Sequence, residues 1–430
     1  MSSKELNPFG VTLKASFFLF AVSIASLASH RAHAVKLDSY CVYLTSENKA
    51  IVQNAKKMLP IASVSKVFTT QWALHRLGPN YRFYTDFLIT KDPKIAGAHR
   101  VHIKGTRDPY FDQINFHQMV SEFNRMGITH ISLLTFDENL KFFSDPKGKF
   151  AATNEFKSGY PYPQDVEAML KARSPFIGAA YNQSSRRLVA GGHKPLNPNP
   201  RMRIDKIEHL PTFAYKPPQR GVLIKTMGSA PLKDLLREMN RNSNNFAANQ
   251  IFEYLGGPSE YHKYAEKQFK FKVGKDLSFI NGAGSPHRIG DKYKLYNHAT
   301  CSAVLKVMVW MKTYLSHPKT KLSMNSVLPV AGEGTKNTLD GSYNNDTLEK
   351  VLIGKTGTIN QAVTFTGFAN TKKGDVFFYY NMDTEIGGTD ATYDIAKRWR
   401  ESRVRIRSRI TEMVDKLGGG IQADIKPLAF

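Results

Sequence analysis

The chain has 430 residues, of which 41% are hydrophobic and 22% charged, and it carries a formal net charge of +24. This is the composition of an ordinary globular protein, long enough to bury a large core and to hold two domains, and it excludes a disordered chain. The charge favours polyanionic partners, but it is scattered along the chain and no helix-turn-helix or zinc-finger pattern accompanies it, so nucleic acid is not an expected partner and an anionic envelope polymer is.

In the first 34 residues, Lys4 and Lys14 precede an apolar run from Ala15 to Ala28, followed by Ala32-His33-Ala34. A basic start, a short apolar run and a small-x-small site read as a secretory signal peptide over 1–34, cleaved before Val35. The other reading, a membrane anchor, needs an apolar run of about 20 residues, and this one is shorter. Export to the periplasm or beyond is therefore expected. It permits a bridge between Cys41 and Cys301, the two cysteines of the chain, while two small buried thiols remain the alternative. His99 and His102 are isolated and no His-Glu-x-x-His occurs, so neither metal nor cofactor is expected.

Past the signal, Ser39–Thr45 and Ala50–Gln53 read as two strands around a polar turn. A helix follows from Ser63 to about Leu77, stopped by Gly78-Pro79. Arg82–Ile89, His99–Ile103 and His130–Phe136 are strand-like, with a helical pattern through Phe116, Met119, Val120 and Phe123 before the last of them. From Pro146 to about Gln219 the chain is rich in proline and reads as long connections. Helical spacing resumes at Pro231 with Leu232, Leu235, Leu236 and Met239, continues through Phe246 and Ile251, and returns from Asn297 to about Tyr314. Glu349–Gly354, Ala362–Phe368 and Asp375–Met382 are three successive strands, rich in β-branched and aromatic residues. A last helix from about Ile395 to Leu417 carries Ile406, Ile410 and Leu417 on one face, with arginines mainly elsewhere. It is read as docked on a sheet rather than lying on a membrane.

Within these elements, Ser63-Val64-Ser65-Lys66 places a hydroxyl and an amine three residues apart, on one face of a helix. A serine needs a base within hydrogen-bond reach to act as a nucleophile, and a lysine can serve if burial or a neighbouring cation lowers its pKa. The same spacing at Ser46/Lys49 lies in a turn, and at Ser144/Lys147 and Ser316/Lys319 it encloses a proline. Two further motifs follow in order: Ser243-Asn244-Asn245, and Lys355-Thr356-Gly357-Thr358 on a strand. Each alone is ambiguous: Ser243 could cap a helix, Asn245 could sit in a turn, and Lys355 could be a solvated strand residue. The ordered trio is the signature of β-lactamases and penicillin-binding proteins.

With Ser229-Ala-Pro-Leu-x-Asp-Leu-Leu236, Leu328-Pro-Val-Ala-Gly332 and the Asp108-Pro109 turn, the chain resembles the low-molecular-mass class C penicillin-binding proteins, the D-alanyl-D-alanine carboxypeptidase/endopeptidase family S13. The resemblance implies an α/β (α+β) fold: a β-lactamase/transpeptidase-like domain with an antiparallel sheet flanked by helices, built from 35–81 and 220–430, and a smaller inserted domain over 82–219. It implies peptidoglycan stem peptides or cross-links as substrates and β-lactams as inhibitors. Ser63 is then the nucleophile, Lys66 its base and Ser243 a proton carrier. Asn245 holds the substrate amide, and Lys355, Thr356 and Thr358 bind the terminal carboxylate. Gly357 lets substrate lie against the strand, and the backbone N–H groups of Ser63 and Thr358 form an oxyanion hole. Asn281-Gly-Ala-Gly-Ser285 departs from the family's Asp-Gly-Ser-Gly-Leu, and Ala331-Gly-Glu-Gly-Thr335 is a shortened form of another family stretch. The insertion is shorter than the family's, which leaves a more open cleft. A β-lactamase and a catalytically silent peptidoglycan-binding or penicillin-sensing protein are the other functions these motifs allow.

Overall fold

The structure, a computed structural model, describes residues 37–141, 179–190, 192–218, 220–289, 293–334, 337–383 and 391–425. The expected signal peptide and the loop-rich stretch 146–178 lie outside them. In chain order the described strands are β1 (Leu37–Leu44), β2 (Lys49–Gln53), β3 (Leu59–Pro60), β4 (Tyr84–Lys91), β5 (His99–Lys104), β6 (His130–Phe136), β7 (Arg203–Ile204), β8 (Ile207–His209), β9 (Leu223–Gly228), β10 (Leu277–Ser278), β11 (His287–Ile289), β12 (Tyr293–Leu295), β13 (His298–Ala299), β14 (Leu352–Ile359), β15 (Ala362–Thr371) and β16 (Gly374–Asp383). The α-helices are α1 (Ser65–Leu77), α2 (Gln113–Arg125), α3 (Ala179–Ala190), α4 (Leu232–Arg241), α5 (Asn245–Tyr254), α6 (Gly257–Phe269), α7 (Cys301–Ser316) and α8 (Ala391–Lys416).

The main sheet is antiparallel, in the order β14-β15-β16-β1-β2. Its central strands are covered on both faces, which is why they read as nearly unbroken apolar runs. Alternate residues feed two cores. Phe377 and Tyr379 join the core that holds α1, α4, α5 and α7. Phe378 and Tyr380 join Ile406, Ile410 and Val414 of α8 on the other face. Burying side chains of that size stabilises by roughly 2 kcal/mol each, so α8 is docked on the sheet as its apolar stripe predicts. No described helix is long and apolar enough to cross a membrane.

Helix α1 is buried at every position from Ser65 to Leu74. Trp72 at its centre packs on Phe252 and Tyr261, with ring centroids 5.2 and 5.1 Å away. Gly78 ends it, as the sequence predicts, at a φ of 80° that favours glycine. Of 82–219, the described part folds around a core of its own, in which Phe116, Val120 and Phe123 of α2 lie against Val101, Ile103 and Leu134. Its sheet runs β7-β6-β5-β4-β9, with β8 on β6. Asp112 caps α2 and Asn115 returns the bond. Strand β9 pairs with β4, so this sheet continues to Gly228, past the boundary expected at 219/220.

Three local details differ from the pattern. The helix expected from Asn297 begins at Cys301, because Thr300 caps it and His298–Ala299 pair in a small sheet instead. Strand β14 begins at Leu352, three residues late, because Lys350 takes a left-handed φ of 57°. Cys41 and Cys301 form a disulfide, which settles the open thiol question and ties β1 to the first turn of α7 across 260 residues of chain. Breaking a link across so long a loop costs about 2–5 kcal/mol. Thermal unfolding with and without reductant should therefore show a drop of several degrees on reduction, and an unchanged midpoint would contradict the bond.

Candidate active site

Ser63 sits in a one-turn 3-10 helix, Ala62–Val64, that runs directly into α1. Ala62 before it takes a φ of 47°, a strained conformation for a residue with a side chain. The turn delivers Lys66 to Ser63 as the spacing predicts: Lys66 Nζ lies 3.0 Å from Ser63 Oγ. The same nitrogen lies 2.7 Å from Asn245 Oδ1 and 3.0 Å from the Ala283 carbonyl oxygen. Both of these only accept. A neutral amine has two N–H groups and one lone pair, so with both N–H groups given to them the lone pair faces the Ser63 hydroxyl. Lys66 is wholly buried, and its pKa lies well below that of a free lysine, first through burial and then through the charge of Lys355.

Ser243 is not a helix cap. It occupies the link between α4 and α5 at a left-handed φ of 53°, and Asn244 caps α5 by accepting from the Ala247 N–H at 3.1 Å. That strained link turns Ser243 toward the sheet, where Lys355 Nζ donates to its Oγ at 3.0 Å. Asn245, the first residue of α5, turns its Oδ1 to Lys66, which leaves the amide N–H groups to donate elsewhere.

Lys355 is wholly buried as well, and burial pushes its pKa down to about 7. Its amine is engaged by Ser243 and by the Thr356 carbonyl oxygen at 2.7 Å. Gly357 faces the Ser63 turn: a Cβ there would meet Thr364 Oγ1 at 2.2 Å and the Ser63 nitrogen at 3.0 Å. Its missing side chain is needed for close approach of β14 to the Ser63 turn. Thr356 and Thr358 alternate to the opposite face of β14. There Arg403 Nη2 of α8 donates to Thr358 Oγ1 at 3.0 Å.

Two contributors carried no local signal. The Ala283 carbonyl belongs to the Asn281–Ser285 loop, where Asn281 Oδ1 accepts from the Ala283 and Gly284 N–H groups at 3.2 and 2.7 Å. Asn281 Nδ2 donates to the Ser285 carbonyl at 2.8 Å, a bond that a carboxylate could not make. Gly284 has a φ of +73°, and a Cβ on it would lie 1.9 Å from the Ala62 carbonyl oxygen. Gly284→Ala is therefore expected to destabilise the fold by more than about 2 kcal/mol and to slow any reaction at Ser63, measured by thermal unfolding and acylation kinetics together. Arg403 is the second: it is one of six arginines between Arg398 and Arg409, and spacing does not single it out.

A model of the D-Ala-D-Ala carboxypeptidase 3 (S13) family matches residues 25–170 and 212–398. Among curated proteins, the chain is 26% identical over 163 residues to a D-alanyl-D-alanine carboxypeptidase of Haemophilus influenzae; the match covers 37% of this chain and 33% of that protein. The chain thus spans about one third of the length of the curated relative it matches. Among solved structures, a predatory peptidoglycan endopeptidase from Bdellovibrio bacteriovorus superposes with a TM-score of 0.80 at 27% identity, covering 92% of this chain and 97% of the other. A penicillin G-acylated form of that endopeptidase superposes at 0.79, with 28% identity and the same coverage. Penicillin binding protein 4 of Haemophilus influenzae shares the fold at a TM-score of 0.58 and 16% identity, over 87% of this chain and 96% of the other. The family model takes in both Ser63-Val64-Ser65-Lys66 and Lys355-Thr356-Gly357-Thr358, and it spans well over half of the sequence, so the chain belongs to the S13 family of D-Ala-D-Ala carboxypeptidases.

Proposed function

We propose that the protein is a serine DD-peptidase of peptidoglycan that is acylated by β-lactams at Ser63. The observation that carries this reading is the wholly buried Lys66 amine, 3.0 Å from Ser63 Oγ with its other contacts made to carbonyl-type oxygens. Ser63 Oγ attacks the carbonyl carbon between two D-alanines and gives its proton to Lys66. The Ser243 hydroxyl accepts from Lys355, so its own proton is free to pass to the departing amine nitrogen as the C–N bond breaks, and the proton that Lys66 took from Ser63 replaces it. The N–H groups of Ser63 and Thr358 hold the oxyanion, and the free amide N–H groups of Asn245 hold the substrate peptide. Water then cleaves the ester and restores Ser63. Terminal D-alanine and D-alanine–diaminopimelate cross-links are both substrates of this reading, as the short insertion leaves the cleft accessible.

The reading includes export, with 1–34 as the signal, and the Cys41–Cys301 bridge fits an oxidising compartment. It includes the segment around 82–219 as an inserted domain and the charge of +24 as attraction to anionic envelope polymers; wall binding unaffected by high salt would remove that last part. The central test is incubation with a labelled penicillin and, in parallel, with a muropeptide ending in D-Ala-D-Ala. A long-lived adduct on Ser63 with release of D-alanine is expected. Rapid penicillin turnover would make it a β-lactamase, and neither reaction with retained wall binding would make it a silent binding module.

A further inference from the structure

We infer that Arg403 of α8 is the cation that meets the substrate's terminal carboxylate, acting together with the Thr358 hydroxyl that it orients. The inference rests on the peptidase reading above. A substrate that ends in a carboxylate brings a full negative charge to the edge of β14, and something must compensate it. The two lysines of the cleft are already engaged. Lys66 Nζ is held among Ser63, Asn245 and Ala283, and Lys355 Nζ between Ser243 and the Thr356 carbonyl, both amines being wholly buried. Burial also pulls Lys355 down to about 7, so above neutral pH it is not a lasting positive charge.

A guanidinium stays charged at any pH the fold survives, and it presents several N–H donors in a fixed fork. One donor of Arg403 is spent on Thr358 Oγ1 at 3.0 Å. Among the described residues no carboxylate pairs with Arg403, and its one hydrogen bond is to the neutral Thr358 hydroxyl. The bond also sets the direction of the Thr358 hydroxyl. An oxygen that accepts from Arg403 points its own proton away from the guanidinium, and that proton needs an acceptor. Thr356 lies two residues earlier, on the same face of a strand at the edge of the sheet. Two hydroxyls and a guanidinium on one open edge form a carboxylate cradle. Arg403 is placed by the helix rather than by a loop: Ser402 before it and Ile406 after it are buried, and α8 packs on β15 and β16, which brings Arg403 to Thr358 of the adjoining β14.

The test compares two activated D-alanyl thioesters, identical except that one leaving group ends in a carboxylate and the other in an amide, on the full chain and its Arg403→Ala and Arg403→Lys variants. The activated bond keeps both reactions measurable. For Arg403→Ala, kcat/KM on the carboxylate thioester should fall about tenfold to a hundredfold, the worth of a charge-assisted bond. The amide thioester should change less than about threefold, and Arg403→Lys should recover part of the loss. An equal fall on both thioesters would show a structural role only, and an unchanged preference for the carboxylate would overturn the assignment while leaving the peptidase intact. A wild-type chain inert toward both thioesters and penicillin would sink the peptidase reading and this inference with it.

Discussion

Ser63→Ala is expected to abolish both penicillin acylation and D-alanine release, with kcat lower by about 10⁶-fold on the scale of nucleophile removal in other serine hydrolases. The size of the effect follows from what surrounds Ser63. Ser65 is the nearest hydroxyl in sequence, but its Oγ is turned away and donates to the Ala62 carbonyl at 2.7 Å. Ser243 Oγ is held by Lys355. Neither can stand in. Ser63 is partly exposed, so its truncation leaves little cavity and the melting temperature should stay within about 2 °C. Mass spectrometry after penicillin treatment, together with a thermal scan, checks both halves. An adduct that survives the substitution would place the nucleophile elsewhere.

Lys66→Gln should lower the acylation rate by about 10²–10⁴-fold, the range for removal of a positioned general base. Glutamine is one atom shorter and keeps an N–H donor for the space between Asn245 and Ala283, but it cannot take a proton from Ser63. The pH dependence adds a second signature. Burial and the Lys355 charge disfavour the ammonium form, so Lys66 becomes neutral at a lower pH than a free lysine. The wild-type acylation rate should therefore rise with pH through that lowered pKa and then level, while the residual rate of the variant loses this limb. Stopped-flow acylation across pH reads both, and a variant with the wild-type limb would exclude Lys66 as the base. The same lysines affect stability. Between about 7 and 10.5 Lys355 binds a proton when unfolded and sheds it when folded, so its contribution stabilises the fold progressively as pH rises through that window.

How far these side chains could be read in advance depended on the range of the interaction. The Ser63–Lys66 pair is a helical i, i+3 relation, and such relations are written in spacing. The apolar runs of β15 and β16 announced strands covered on both faces, and the stripe of Ile406, Ile410 and Leu417 announced a helix docked on one side. The ordered appearance of Ser243-x-Asn245 and Lys355-Thr-Gly357 marked a shared site without showing how its atoms meet. Lys355 turns its amine to Ser243, 112 residues away in the chain. Asn245 was expected to hold substrate and spends its carbonyl oxygen on Lys66, 179 residues away.

Residue type, spacing and order were enough to pair Ser63 with Lys66 and to find the strand that flanks them, because those features follow from local geometry. The fold alone decided which partners complete the site. A backbone carbonyl such as that of Ala283 has no side-chain identity to read. The bond between Cys41 and Cys301 exists because β1 and α7 pack together. Arg403 differs from the other arginines of α8 only in which turn of the helix faces Thr358. Those relations are set by the packing of elements distant in sequence, and no local period records them.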